Sequence, residues 1–213
     1  MIVCVVGNKL FNNLNIGKHI DKFDKIVRCN MSLPMGHNGT KYGELSLCNH
    51  IYEDFITLKV SPERFKEGHP LYHEEDMNHF IENFNPDDFE AVYHSPEYGY
   101  NNALESIGCP YRFQAQPRTG YVEVMRNLVE GNKVAISHFT IANNEERNSW
   151  YVKLGQGESY CHHGPSEIQV LRWLHENNYV DASLCLLKDQ EELEFYDEEN
   201  ELEPTEFMLD FIK

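Results

Sequence analysis

Short apolar runs rich in β-branched residues recur along the 213-residue sequence, and amphipathic helical patterns stand between several of them. That alternation is the signature of a parallel sheet with helices on both faces. The strand-like runs are Ile2 to Val6, Lys25 to Arg28, Leu45 to Leu47, Ala91 to Tyr93, Val134 to Ser137 and Ser183 to Leu187. Helical patterns cover Glu74 to Phe84, Tyr121 to Glu130 and Ser166 to Asn177. In the second, Val122, Met125 and Val129 recur at helical spacing and Gly131 supplies a stop; in the third, Ile168, Leu171 and Leu174 share a face. No internal repeat, low-complexity tract or Gly/Ser linker divides the chain, so the expectation is one α/β domain over residues 1–213.

Charge narrows the function classes. A formal net charge of −17 argues against a nucleic-acid surface, because affinity for duplex phosphates comes from clustered Lys and Arg. Part of the acid is concentrated late in the chain, in residues 189–206, which reads as a solvated acidic C-terminal segment. A pocket for a nucleotide needs only local donors and remains open. No window approaches the roughly 18 apolar residues of a membrane span, and the leading apolar run is too short for a secretion signal. The six cysteines lack CxxC spacing, which points to free thiols in a reducing compartment.

Two proline-containing connections have the character of site loops: "NMSLPMGHNGTKYG" after the second strand and "QAQPRTG" before the Tyr121 helix. Ligands of open α/β sheets bind at the carboxyl ends of the strands, where such loops gather. Gly7 and Asn8 end the first strand; glycine allows close backbone approach, and the Asn amide offers a donor and an acceptor. The GxGxxG spacing of a dinucleotide site is missing. In "PRTG", Thr119 is the expected N-cap, and free N–H groups at a helix start attract an anion. In "YCHHGPSE", His162 and His163 precede a helix with Glu167 in its first turn; Glu167 either orients a histidine base or serves as a capping carboxylate. His69 and His73 stand four apart in "HPLYHEED", but no third ligand has convincing spacing, so no metal is expected. Asp87 and Asp88 in "NPDDF" read as a turn or helix cap.

In order and spacing these segments resemble the sialyltransferases of glycosyltransferase family 29 and, more distantly, the bacterial sialyltransferases of family 42. The long motif of family 29, C-x-V-V-G-N followed by R-x-N, matches Cys4 to Asn8 and Arg28 to Asn30. Its short motif, P-S-T-G followed by V-x-x-x-G-F, matches Pro117 to Gly120 and then Val134 with Ser137 to Phe139. Its last motif, His and Glu separated by four residues, matches His162 to Glu167. The matches fall across roughly residues 2–170.

The resemblance implies a Rossmann-like single domain, a mostly parallel twisted sheet flanked by helices, of the sialyltransferase-type GT-A variant. It implies an inverting, metal-independent transferase that moves sialic acid from CMP-sialic acid to a glycan hydroxyl, with no cofactor beyond the CMP-sugar donor. Asn8, Asn30 and Gly7 would contact the donor, and Arg118, Thr119 and Gly120 its carboxylate or cytidine end. His162 would be the base, with His163 competing for the role; Tyr151 would stabilise the phosphate, and Arg28 and Glu167 would support. CMP-Kdo is an alternative donor, and a non-catalytic nucleotide- or glycan-binding module is an alternative function. The second cysteine that animal members cross-link to the long motif has its place at about Gly131, so the resemblance leaves Cys4 without that partner. With no Golgi anchor or stem recognised, it points to a short bacterial or viral member working in the cytoplasm.

Overall fold

The computed structural model describes residues 1–7, 15–29, 32, 34, 38–47, 86–95, 99–139, 141 and 164–187. The elements are β1 (Ile2–Val6), α1 (Gly17–Ile20), β2 (Lys25–Cys29), β3 (Glu44–Ser46), β4 (Glu90–Val92), α2 (Tyr100–Ser106), α3 (Thr119–Val129), β5 (Lys133–Ser137), α4 (Gly164–Glu176), β6 (Val180–Asp181) and α5 (Ser183–Leu186). A single 3-10 turn, Pro86–Asp88, leads into β4, as the Asn-Pro-Asp-Asp sequence suggests.

The six strands among the described residues form one parallel sheet in the order β4-β3-β2-β1-β5-β6, a Rossmann-like arrangement flanked by helices. The register lines up the carboxyl ends: Val6 opposes Arg28 and Ser137, Cys29 opposes Ser46, and Ser46 opposes Val92. After β4 the chain crosses to the other side of β1, so β1 and β5 flank the topological switch point.

Strand alternation divides the core between the two faces. Val3 and Val5 join Val27, Ile136, Leu104, Met125, Leu171 and Leu174 on one side; Cys4 and Val6 join Ile16, Ile20, Ala135 and Leu184 on the other. Both faces of β1 are therefore dry, which explains its unbroken apolar sequence.

The α3 helix stops at Gly131, whose φ of 77° opens the left-handed region. Its N–H bonds the Leu128 carbonyl and the Asn132 N–H bonds that of Asn127, a Schellman closure. Asn178 (φ 63°) ends α4 in the same way, with the Tyr179 N–H on the Leu174 carbonyl.

Several expectations are corrected. Ser183 to Leu187 is not a strand: β6 is the preceding Val180–Asp181, and Asp181 Oδ1 accepts bonds from the Ser183 N–H (2.9 Å) and hydroxyl (2.6 Å), turning the chain into α5. Val129 is exposed at the last position of α3, and Ile168 is only half-buried while Val170 is buried. The Glu74 to Phe84 helix and the 189–206 acidic segment lie outside the described residues.

Candidate active site

At the switch point, three segments far apart in sequence meet. The Gly7 N–H continues the ladder to the Ser137 carbonyl at 2.8 Å. A Cβ on Gly7 would stand 2.4 Å from the His138 carbonyl oxygen and 3.0 Å from the Phe139 ring. A Cβ on Gly120 would stand 2.8 Å from the same ring and 3.7 Å from Cys29 Sγ. Gly7 and Gly120 are thus required by packing of the two motifs on Phe139, before any ligand is considered. Tyr121 packs edge-on to Phe139 with centroids 5.6 Å apart.

His138 is buried and holds a left-handed backbone, φ 60°, directly after β5. A non-glycine residue there is uncommon and costs of order 1–3 kcal/mol, a kind of strain that clusters at functional sites. Its Nδ1 lies 3.2 Å from Ser137 Oγ, which also meets Cys4 Sγ at 3.9 Å. Burial pushes the Cys4 thiol up to about 12, and burial also raises Cys29, so both behave as inert core thiols.

Arg28, on β2, is completely buried. Its Nε donates to the Lys41 carbonyl at 2.9 Å, and its terminal nitrogens donate to the Ser32 (3.3 Å) and Asn38 (3.1 Å) carbonyls. The guanidinium therefore gathers the loop after β2 around itself. Asp21 holds the same loop from outside, accepting from the Thr40 N–H and hydroxyl and the Lys41 N–H. Partial burial would raise the Asp21 carboxyl, but these bonds and the Arg28 charge prevail and hold it below the usual range.

At α3 the N-cap is Arg118, with extended backbone, and not Thr119, which is the first helical residue. The cap comes from another helix: Glu167 of α4, almost completely buried, accepts the Arg118 N–H at 2.8 Å and the Arg118 Nε at 2.6 Å. Ser166 Oγ accepts the Gln114 N–H at 3.2 Å beside it. Glu167 thus places a negative charge at the start of α3, where the helix dipole favours it. Arg118 also lies over the Tyr121 ring, 5.6 Å from its centroid. The Thr119 and Gly120 N–H groups have no partner among the described residues.

A second polar cluster was not anticipated. Glu44, His94 and Glu123 bring ligand-type atoms within 4.8 Å of one another. The two carboxylates already share the Arg126 guanidinium, at 2.7 Å from Glu44 and 2.8 Å from Glu123, and Lys25 reaches Glu44 at 2.6 Å. Arg126 and Lys25 thus already compensate the charge of both carboxylates. The spacing of Glu123 and Arg126, three apart on α3, is visible in sequence, but their pairing with Glu44 and His94 depends on strand order.

Asn8, Asn30, Tyr151, His162 and His163 lie outside the described residues, as do His69 and His73. Among the described residues no helix is long and apolar enough to cross a membrane.

No protein-family description and no curated protein matches the chain by sequence. Solved structures similar to it include a mammalian sialyltransferase (TM-score 0.48) and a mammalian sialyltransferase in complex with Gal-beta-1-3GalNAc-ortho-nitrophenol (TM-score 0.47). In each case identity is 17%, and the alignment covers 84% of this chain and 67% of the other.

Proposed function

We propose that this chain is a glycosyltransferase that moves sialic acid from CMP-sialic acid to a hydroxyl of a glycan, with inversion and without a metal ion. The observation that carries this reading is the meeting of Gly7, Gly120 and Phe139 at the β1/β5 switch point. Each comes from a different part of the long and short motifs, and the switch point they flank is where open α/β sheets take ligands.

Attack of the acceptor hydroxyl on the anomeric carbon forms one C–O bond as the bond to the CMP phosphate breaks, so a single displacement inverts that carbon. His162, or His163 in its place, takes the hydroxyl proton. Asn8, Asn30 and Tyr151 donate to the departing phosphate, and the Thr119 and Gly120 N–H groups face the donor's negative end. Arg28 positions the loop after β2, and Glu167 positions the start of α3. The free thiols of Cys4, Cys29, Cys109 and Cys185 support work in a reducing compartment. CMP-Kdo, with the same carboxylate and attacked carbon, is the competing donor.

Calorimetric titration with CMP, CDP, UMP and AMP in EDTA tests the reading. Selective CMP binding is expected; equal or absent binding of all four overturns it. Given CMP binding, turnover of CMP-sialic acid that accelerates on adding a sugar acceptor marks a transferase, and binding without turnover marks a module. His162→Ala should abolish transfer while CMP affinity stays within a few-fold.

A further inference from the structure

A histidine held by a buried carboxylate stands just past the carboxyl end of β4, outside every segment of the motif resemblance. Glu123, in the second turn of α3, is completely buried. Its Oε1 accepts from Ser46 Oγ at 2.7 Å and meets His94 Nδ1 at 2.7 Å; its Oε2 accepts from Arg126 Nε at 2.9 Å. Because the partner is a carboxylate, Nδ1 is the donor, and these bonds fix the ring's orientation. Nε2 then faces away from Glu123, on a side chain 29% exposed, and has no partner among the described residues.

Neutralising Glu123 does not require this histidine. Arg126 already reaches the carboxylate through two nitrogens, at 2.9 and 2.8 Å. What the arrangement adds is a rigid imidazole at the carboxyl rim of the sheet. Glu123 follows Gly120 by three residues, about 5 Å along the helix axis. Ser46 opposes Cys29, whose thiol neighbours Gly120. A ligand held at the start of α3 therefore needs to extend only on the order of 10 Å to reach the imidazole.

We propose that His94 Nε2 is a hydroxyl-binding position for a sugar ring of the substrate, with Glu123 as its positioning residue. The inference rests on the transferase reading. A hydroxyl can donate to the lone pair that Nε2 carries when Nδ1 holds the proton. The hydroxyl belongs either to the CMP-sugar donor or to the acceptor glycan, and kinetics separate the two.

The test measures kcat and both KM values, with CMP affinity, for the wild type and His94→Ala. A rise of about tenfold in one KM, with kcat within about threefold, is expected for a lost binding contact. A rise in donor KM accompanied by weaker CMP binding places the hydroxyl on the nucleotide, a rise in donor KM alone places it on the transferred sugar, and a rise in acceptor KM places it on the glycan. Unchanged KM values, or a fall in kcat alone, overturn the proposal. Long-range 15N–1H spectra supply a readout that a structural role would not move. The free protein should show His94 protonated at Nδ1, and the Nε2 signal should shift when the KM-affected substrate is added. An Nε2–H tautomer, or no shift at saturation, overturns the proposal. A wild type that neither binds CMP nor turns over a CMP-sugar defeats the transferase reading and this inference with it, whereas an active enzyme indifferent to His94 defeats this inference alone.

Discussion

Gly7 and Gly120 show how one residue type can be chosen for a reason the sequence hides. A glycine after a strand reads as room for a ligand, yet both positions are closed by Phe139 and, at Gly7, by the His138 carbonyl. Gly7→Ala forces a backbone shift and should cost roughly 1–3 kcal/mol, read as a lower midpoint in urea; an unchanged midpoint would show that the strand end yields freely. Arg28→Lys should cost about 3–5 kcal/mol, because a single ammonium cannot serve the carbonyls of Ser32, Asn38 and Lys41 that the guanidinium fork reaches. Asp21 adds a pH dependence whose sign follows from its lowered folded-state value. Its contribution is complete above the unfolded carboxyl range near about 4 and fades as pH falls through the folded-state value. The stability gap between wild type and Asp21→Asn should therefore narrow as pH drops from about 6 to about 3; a constant gap would assign the effect to shape alone.

At the scale of elements, hydrophobic runs were legible wherever burial on both faces demanded them, as in β1 and β5. The apolar run Ser183 to Leu187 misled because a short apolar stretch suits strand or helix alike, and the Asp181 bonds to Ser183 decide between them. The helix α2 also carries a sequence signal: Tyr100, Leu104 and Ile107 recur at helical spacing, and Gly108 ends the pattern with φ 78°. The cap of α3 was not readable, since Glu167 lies 49 residues from Arg118 and a side-chain cap across that separation needs the tertiary fold. That contact ties α4 to α3 and so the last motif to the short one. Glu167→Gln keeps an acceptor for the Arg118 N–H but loses the ion pair, whose guanidinium is 43% exposed and partly screened. Glu167→Leu loses both, leaving a helix-start N–H without its acceptor. Leu should destabilise more than Gln, by about 1–2 kcal/mol, in chemical denaturation; equal effects would mean that the charge alone matters.

For the whole molecule, the proposed function raises the question of how a chain of formal charge −17 would take up a donor carrying a phosphate and a carboxylate. Three arginines among the described residues are engaged within the protein: Arg28 with loop carbonyls, Arg118 with Glu167, and Arg126 with Glu123, Glu44 and Glu130. Among the described residues these arginines are thus engaged by protein acceptors, so in the proposed reading short-range recognition would fall to N–H groups, amides and imidazoles, while the long-range field of the protein would repel the donor. Salt separates these two ranges, because the Debye length shrinks from about 30 Å at 0.01 M to about 8 Å at 0.15 M. Raising ionic strength across that interval should remove repulsion and leave hydrogen bonds, so kcat/KM for the donor should rise by about two- to fivefold while KM for a neutral acceptor stays level. A fall in donor kcat/KM with salt would instead reveal a cationic funnel supplied by other parts of the chain, and would transfer donor recognition from hydrogen-bond geometry to charge.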